Sequence, residues 1–180
     1  MTSGVEKKLS KVFKDKEYFE CIKDVFSSDS VKMMDTFIQH GHTSTLEHSL
    51  NVSYASYKLS KKLGLDYKAA ARAGLLHDLF LYDWHKNKEK TKLFEKHGFS
   101  HPKKALENAS KEFILSDKEK DIIVKHMWPL TLRSVPKYKE SFIVSIVDKC
   151  KSCSETVVPI AKKAGNYALL LITIFSGILH

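Results

Sequence analysis

Residues 66–80 read DYKAAARAGLLHDLF, and the fold turns on this stretch. Asp66 is a side-chain acceptor placed to cap a helix over 67–79. Ala70, Ala73, Gly74 and His77 then fall on one face, at offsets of three, four and seven. Such small residues let a neighbouring helix approach closely beside His77. Asp78 follows in strongly apolar company, where an isolated carboxylate is costly to bury. The stretch therefore predicts an interior helix that delivers a His-Asp pair into the core of a helical protein.

Working outward, nearly every other segment has helical period. Upstream, Ser44-Thr45-Leu46-Glu47 has the pattern of a capping box. The helix it opens carries Val52, Ala55 and Leu59 on its apolar stripe, and Gly64 ends it. His48, four residues before Val52, shares that stripe. The polar turn His40-Gly41-His42-Thr43 precedes it, after predicted helices over 5–26 and from Asp29 or Ser30 to about residue 39. Downstream, 82–100 reads as a long loop of lysines and aromatics with at most one short helical piece. A helix is expected to restart at His101-Pro102, with Pro in its first turn. Ser116-Asp117-Lys118-Glu119 is a second capping box, opening a helix with Ile122, Ile123 and His126 on one side until Pro129. The last long helix runs from about 138 to past Cys153, with Val144 and Asp148 four apart. Pro159 is expected to end or kink it. The sum is an all-α, compact single-domain bundle of about seven or more helices with no sheet. An N-terminal helical extension, 1–38, packs on a core domain, 39–180, that includes the C-terminal helices.

Composition agrees. With 180 residues the chain can bury a full core. Its 43% hydrophobic and 28% charged content is that of an ordinary globular protein, and 7 Gly with 4 Pro disfavours a turn-rich β fold. The net charge of +9 is spread over lysines along the whole chain. There is no focused basic stripe with stacking aromatics, so no specific nucleic-acid partner is expected. A positive field still attracts a phosphorylated substrate. Cys150 and Cys153 form a C-x-x-C without a second pair and, with Cys21, read as ordinary cytosolic cysteines rather than metal ligands. No apolar leader is visible, so a cytoplasmic location is expected. The run ALLLITIFSGIL at 168–179 is shorter than the ~20 residues of a membrane span and is read as a closing core helix.

The chemistry lies in histidines and acids taken together. His48, His77 and His126 sit on the inward stripes of three helices, and His101 opens a fourth. Asp78 and Asp148 are acids in apolar surroundings. A cation bound by all of them removes the cost of burying the two carboxylates. Imidazole with carboxylate suits Fe, Mn, Zn or Ni better than Mg.

His48, the doublet His77-Asp78 and Asp148 resemble the H…HD…D signature of HD-domain phosphohydrolases. His101 and His126 match the additional histidines of the two-metal subset. The resemblance covers about 39–155, and the spacing is similar to that of bacterial dinucleoside tetraphosphate hydrolases, without implying the same substrate. It implies that His48, His77, Asp78 and Asp148 hold a first metal, and that Asp78 bridges to a second taken by His101 and His126. The two divalent transition-metal ions, Fe or Mn in the first place with Zn, Ni or Co compatible, would share a hydroxide nucleophile. The substrate implied is a small, nucleotide-like phosphoester or phosphoanhydride. Two alternatives stay open: an HD-type di-iron oxygenase, and a non-catalytic nucleotide-sensing module. One position departs from the pattern. Many HD phosphodiesterases carry Lys or Arg three residues after the Asp of the doublet, where this chain has Leu81. Phosphate charge must then be met by Arg133, by Lys149, or by the loop lysines Lys86, Lys88, Lys90 and Lys92. Asp83 and His85 are candidate general acids. His40, and less so His42, can line the pocket or support a ligand. Trp84 and Trp128 could stack on a base but read more readily as walls of a core.

Overall fold

The computed structural model describes residue 10 and residues 14–40, 43–81 and 90–164, with side chains for 14–39, 43–81 and 100–157. The elements are α1 (Lys16–Phe26), α2 (Asp29–Met33), a 3-10 turn (Met34–Thr36), β1 (Ile38–His40), β2 (Thr43–Ser44), α3 (Thr45–Lys62), α4 (Tyr67–Leu76), α5 (Lys90–Glu112), α6 (Asp117–Lys125) and α7 (Lys139–Ala164). The fold is all-α. Its one sheet among the described residues is a two-stranded antiparallel ladder pairing Ile38 with Ser44 and His40 with Thr43.

Side-chain caps set the starts of the helices. Asp15 accepts from Tyr18 N at 3.1 Å, Ser44 from Glu47 N at 3.2 Å, and Asp66 from Ala69 N at 3.0 Å. Ser116 and Glu119 form both halves of a capping box. Past the end of α3, Gly64 takes φ of 65°, the left-handed conformation that terminates a helix at little cost to Gly.

The centre of the molecule is α4, which packs on α1, α3, α6 and α7. Ala70, Ala71, Ala73, Leu75 and Leu76 are fully buried, as suits a helix enclosed on most sides. The contact with α3 is the closest. A Cβ on Gly74 would stand 3.0 Å from Ser53 Cα, and Ser49, Ser53, Ser56 and Ser60 line the facing stripe of α3 without exposure. This apposition carries His48 and His77 toward each other. Gly74→Ala is therefore expected to destabilise the chain. Overpacking costs about 1–3 kcal/mol, while Ala in a helix returns up to about 1 kcal/mol. A net loss of about 1 kcal/mol should appear as a lowered urea midpoint. An unchanged or raised midpoint would show that the two helices can separate freely.

Several boundaries differ from expectation. The segment over 29–39 leaves the helix at Met33, tightens into the 3-10 turn and is extended from Phe37. Phe37 O there accepts from Thr45 N at 2.8 Å. Tertiary pairing with the start of α3 overrides local helix propensity. Within 5–26, Ser10 and Lys14 are helical, and the helix is broken at Asp15, which caps α1 from Lys16. The helix expected over 67–79 ends at Leu76, with His77 as its cap and Leu81 at a left-handed φ of 53° soon after. Residues 90–100, expected to lie in a loop, belong to α5, so Pro102 sits inside a helix and not in its first turn. The helix tolerates this by forgoing the one backbone bond to Gly98 O that Pro102 cannot donate. Likewise α7 does not end at Pro159 but runs 26 residues to Ala164. The run at 168–179 lies outside the described residues. No helix among those described is long and apolar enough to cross a membrane.

Candidate metal centre

Five helices meet at one buried cluster. His48 comes from the first turns of α3, His77 caps α4, and Asp78 is in the turn beyond. His101 comes from α5, His126 caps α6, and Asp148 lies on α7. None of the six is more than 5% exposed. His48 Nε2 lies 3.0 Å from Asp148 Oδ1, and His77 Nε2 lies 3.3 Å from Asp78 Oδ2 and 3.7 Å from Asp148 Oδ1. On the other side, His101 Nε2 and His126 Nε2 stand 3.3 and 3.6 Å from Asp78 Oδ1, and 2.8 Å from each other. Three overlapping triads have donor atoms within 4.8 Å of one another: His48, His77 and Asp78; His77, His126 and Asp148; and Asp78, His101 and His126. The structure thus brings together all six residues singled out as metal ligands in the sequence.

The helix ends aim the rings. Carbonyls in the last turn of a helix lack an N–H partner. His77 Nδ1–H donates to Gly74 O at 2.8 Å and His126 Nδ1–H to Ile123 O at 2.7 Å, so each ring closes the last turn of its own helix. With the proton on Nδ1, the Nε2 lone pair of each ring faces the cluster. The cluster's own hydrogen bonds are incomplete. His77 Nε2 and Asp78 Oδ1 are buried and make no hydrogen bond among the described residues. Buried polar atoms are otherwise almost always paired. These orphaned atoms, all imidazole nitrogen or carboxylate oxygen, fit a transition-metal cation.

Burial opposes charge at every one of these groups, but their neighbours decide the outcome. For His48, burial is outweighed by Asp148 and Glu155, which raise its pKa to about 10. For His77, burial is outweighed by Asp78 and Asp148, and its pKa rises to about 9. Burial is likewise overcome at Asp78, chiefly by His77 and His101, and at Asp148, chiefly by Lys149, His48 and His77. Both carboxyls are held well below their ordinary range. His126 goes the other way: burial, with His77 and His101 nearby, pushes it far down, leaving a neutral ring with its lone pair available. Without a cation the cluster balances its acids with protons on histidines, and a bound metal must displace those protons.

The other expected substrate-binding residues whose side chains are described, Lys149 and Arg133, are placed less centrally. Lys149 is at the rim, its Nζ donating to Asp148 Oδ2 at 2.5 Å and His126 O at 3.0 Å. Arg133 is exposed on the segment between α6 and α7. His40 ends β1, with its side chain outside those described. Asp83, His85, His42, Trp84, Lys86 and Lys88 lie outside the described residues, as do the side chains of Lys90 and Lys92. Trp128 packs edge-on against Phe142, with ring centroids 5.2 Å apart. Cys150 and Cys153 are in none of the metal-capable groups among the described residues.

Two further contacts were missed by sequence reasoning. Gln39 Nε2 donates to Asp78 Oδ2 at 2.6 Å, and Glu155 Oε2 pairs with His48 Nδ1 at 2.8 Å. Glu155 had a signal, since it lies seven residues after Asp148 and so on the same helical face. Gln39 had none, because its segment read as the end of a helix.

Residues 45–152 match the family model described as HD domain. No curated protein and no solved structure matches the chain.

Proposed function

The chain belongs to the HD domain family, whose members are mostly metal-dependent phosphohydrolases, and from that membership we propose that it hydrolyses a phosphoester or phosphoanhydride of a small, nucleotide-like substrate at a centre of two divalent transition-metal ions. The observation that carries this reading is the division of Asp78 between two sets of partners. Its Oδ2 faces His77 at 3.3 Å, and its Oδ1 faces His101 at 3.3 Å and His126 at 3.6 Å. One carboxylate so placed would be able to serve two cations. His48, His77, Asp78 and Asp148 would hold the first ion, and Asp78, His101 and His126 the second. Iron or manganese fits this donor set best, with zinc, nickel or cobalt also compatible. Such ions supply Lewis acidity toward a phosphoryl oxygen and lower the pKa of water.

The chain's own residues do the rest. Gly74 O and Ile123 O hold His77 and His126 in the orientation that points Nε2 inward. Gln39 steadies the Oδ2 side of Asp78. Lys149 keeps Asp148 ionised and sets a positive charge at the rim, where a phosphate arrives. Arg133 extends that field, and Asp83 or His85 protonates the leaving oxygen. Leu81, where many HD phosphodiesterases carry a cation, leaves phosphate binding to these groups.

Protein purified under protection from oxidation and chelators, then analysed for metal and assayed against nucleotides and phosphomonoesters, tests the reading. Two divalent ions per chain and phosphate release that a chelator abolishes are expected. A single ion per chain overturns the two-ion centre. Oxygen uptake without phosphate release overturns the hydrolase.

A further inference from the structure

We infer that Glu155 is a positioning residue for the first ion, acting through His48, and that Asn51 holds it in place. The inference rests on the two-ion reading above. His48 differs from His77 and His126 in what binds its second nitrogen. His77 and His126 each donate to a carbonyl three residues earlier, in their own helix. Their orientation is therefore intrinsic to α4 and α6. At position 48 the ring sits near the start of α3, and its Nδ1 meets a carboxylate from α7, Glu155 Oε2, at 2.8 Å.

The rest of the contact is built to match. The Glu155 side chain is 10% exposed, and its other oxygen, Oε1, accepts from Asn51 Nδ2 at 3.0 Å. Asn51 lies three residues after His48 on the same face of α3. Glu155 lies seven residues after Asp148 on α7, and Asp148 Oδ1 meets the opposite nitrogen of the same ring, His48 Nε2, at 3.0 Å. Both edges of one imidazole are thus gripped by acids two turns apart on a single helix. Glu155 fixes the proton on Nδ1, leaves the lone pair on Nε2, and makes that nitrogen a stronger donor than a carbonyl partner would. It also makes the first ion's site depend on the docking of α7 against α3, whereas the His126 ring is held within its own helix.

The test uses the full chain stripped of metal and titrated calorimetrically with Mn²⁺ alone, in wild type and in Glu155→Gln, Glu155→Ala, Asn51→Ala and His48→Ala. Outer partners of metal-binding histidines typically contribute about 10–100-fold in affinity. Glu155→Ala is expected to weaken one of the two Mn²⁺ sites by about that factor and to leave the other within about twofold. Gln can still accept from His48 Nδ1–H, so Glu155→Gln should fall between wild type and Ala. Asn51→Ala, which leaves the carboxylate itself in place, should weaken the same site by a smaller factor. The visible absorption of the Co²⁺-loaded chain should change in the same order. A purely structural role would instead weaken both sites together, or lower the unfolding midpoint with both affinities unchanged, and either result overturns the inference. If Glu155→Ala does not fold, the Asn51→Ala titration decides, and unchanged Mn²⁺ affinity there overturns it. His48→Ala separates the two levels: if it weakens one site while the Glu155 variants weaken none, the inference falls and the two-ion reading stands. If wild type shows only one Mn²⁺ site, both fall.

Discussion

Asp78→Asn is expected to empty both ion positions and reduce hydrolysis by at least about a thousandfold. Asn keeps the shape of the side chain and an oxygen that Gln39 can reach, so the loss reports charge and coordination more than packing. Asp78 is 2% exposed, and its two oxygens face separate groups of histidines. Removing the charge leaves neither ion with its shared anionic donor. A Lewis-acid centre stabilises transition-state charge by several kcal/mol, and each ~1.4 kcal/mol is tenfold in rate. Metal analysis should find both ions depleted. A readout free of metal accompanies it. In the stripped protein His77 has a pKa of about 9, with burial opposing and Asp78 foremost in raising it. Without that negative charge the His77 titration, followed by NMR, should move down toward neutral pH. Full metal content in Asp78→Asn would remove Asp78 from the centre.

His101→Ala and His126→Ala are expected to lose one ion per chain and keep the other. Both rings meet Asp78 Oδ1, and their Nε2 atoms stand 2.8 Å apart. Asp148 Oδ1 makes its ion pairs with His48 at 3.0 Å and His77 at 3.7 Å, though His126 also lies within reach of it. The first ion's residues, His48, His77, Asp78 and Asp148, stay in place. Metal content should fall by half and hydrolysis by about a hundredfold or more, on the same conversion of Lewis acidity to rate. His126→Ala also uncovers Ile123 O and should cost some stability, so His101→Ala is the cleaner variant. Retention of full metal content in both would reduce these histidines to pocket residues and leave a one-ion centre.

The sequence carried the helical architecture because its signals are local. Capping residues at Asp66, Ser44 and Ser116 and small residues at Ala70, Ala73 and Gly74 act within a turn or two of helix, and each appears where it was read. The six cluster residues were legible for a related reason. Several inward histidines and acids among apolar residues are together satisfied by a shared cation, and the resemblance to the H…HD…D signature supplied the full ligand set. Where local signals misled, longer-range contacts had won. The segment before α3 had helical period but became a strand, because Phe37 O pairs with Thr45 N and Gln39 reaches Asp78. Pro102 read as a helix start and Pro159 as an end or a kink, but α5 and α7 continue through them, since one lost backbone bond does not undo a long helix held by its neighbours.

By itself the sequence determined most of the helices, which of their faces turn inward and, with the family resemblance, which six side chains share the interior, since these follow from spacing along single segments. Only the tertiary structure decided how those side chains divide. That Asp78 turns one oxygen to each side, that His101 faces His126, and that Glu155 of α7 grips His48 of α3 depend on the distance and angle between separate helices. Those are set by packing across the whole core, down to the close approach of Gly74 and Ser53.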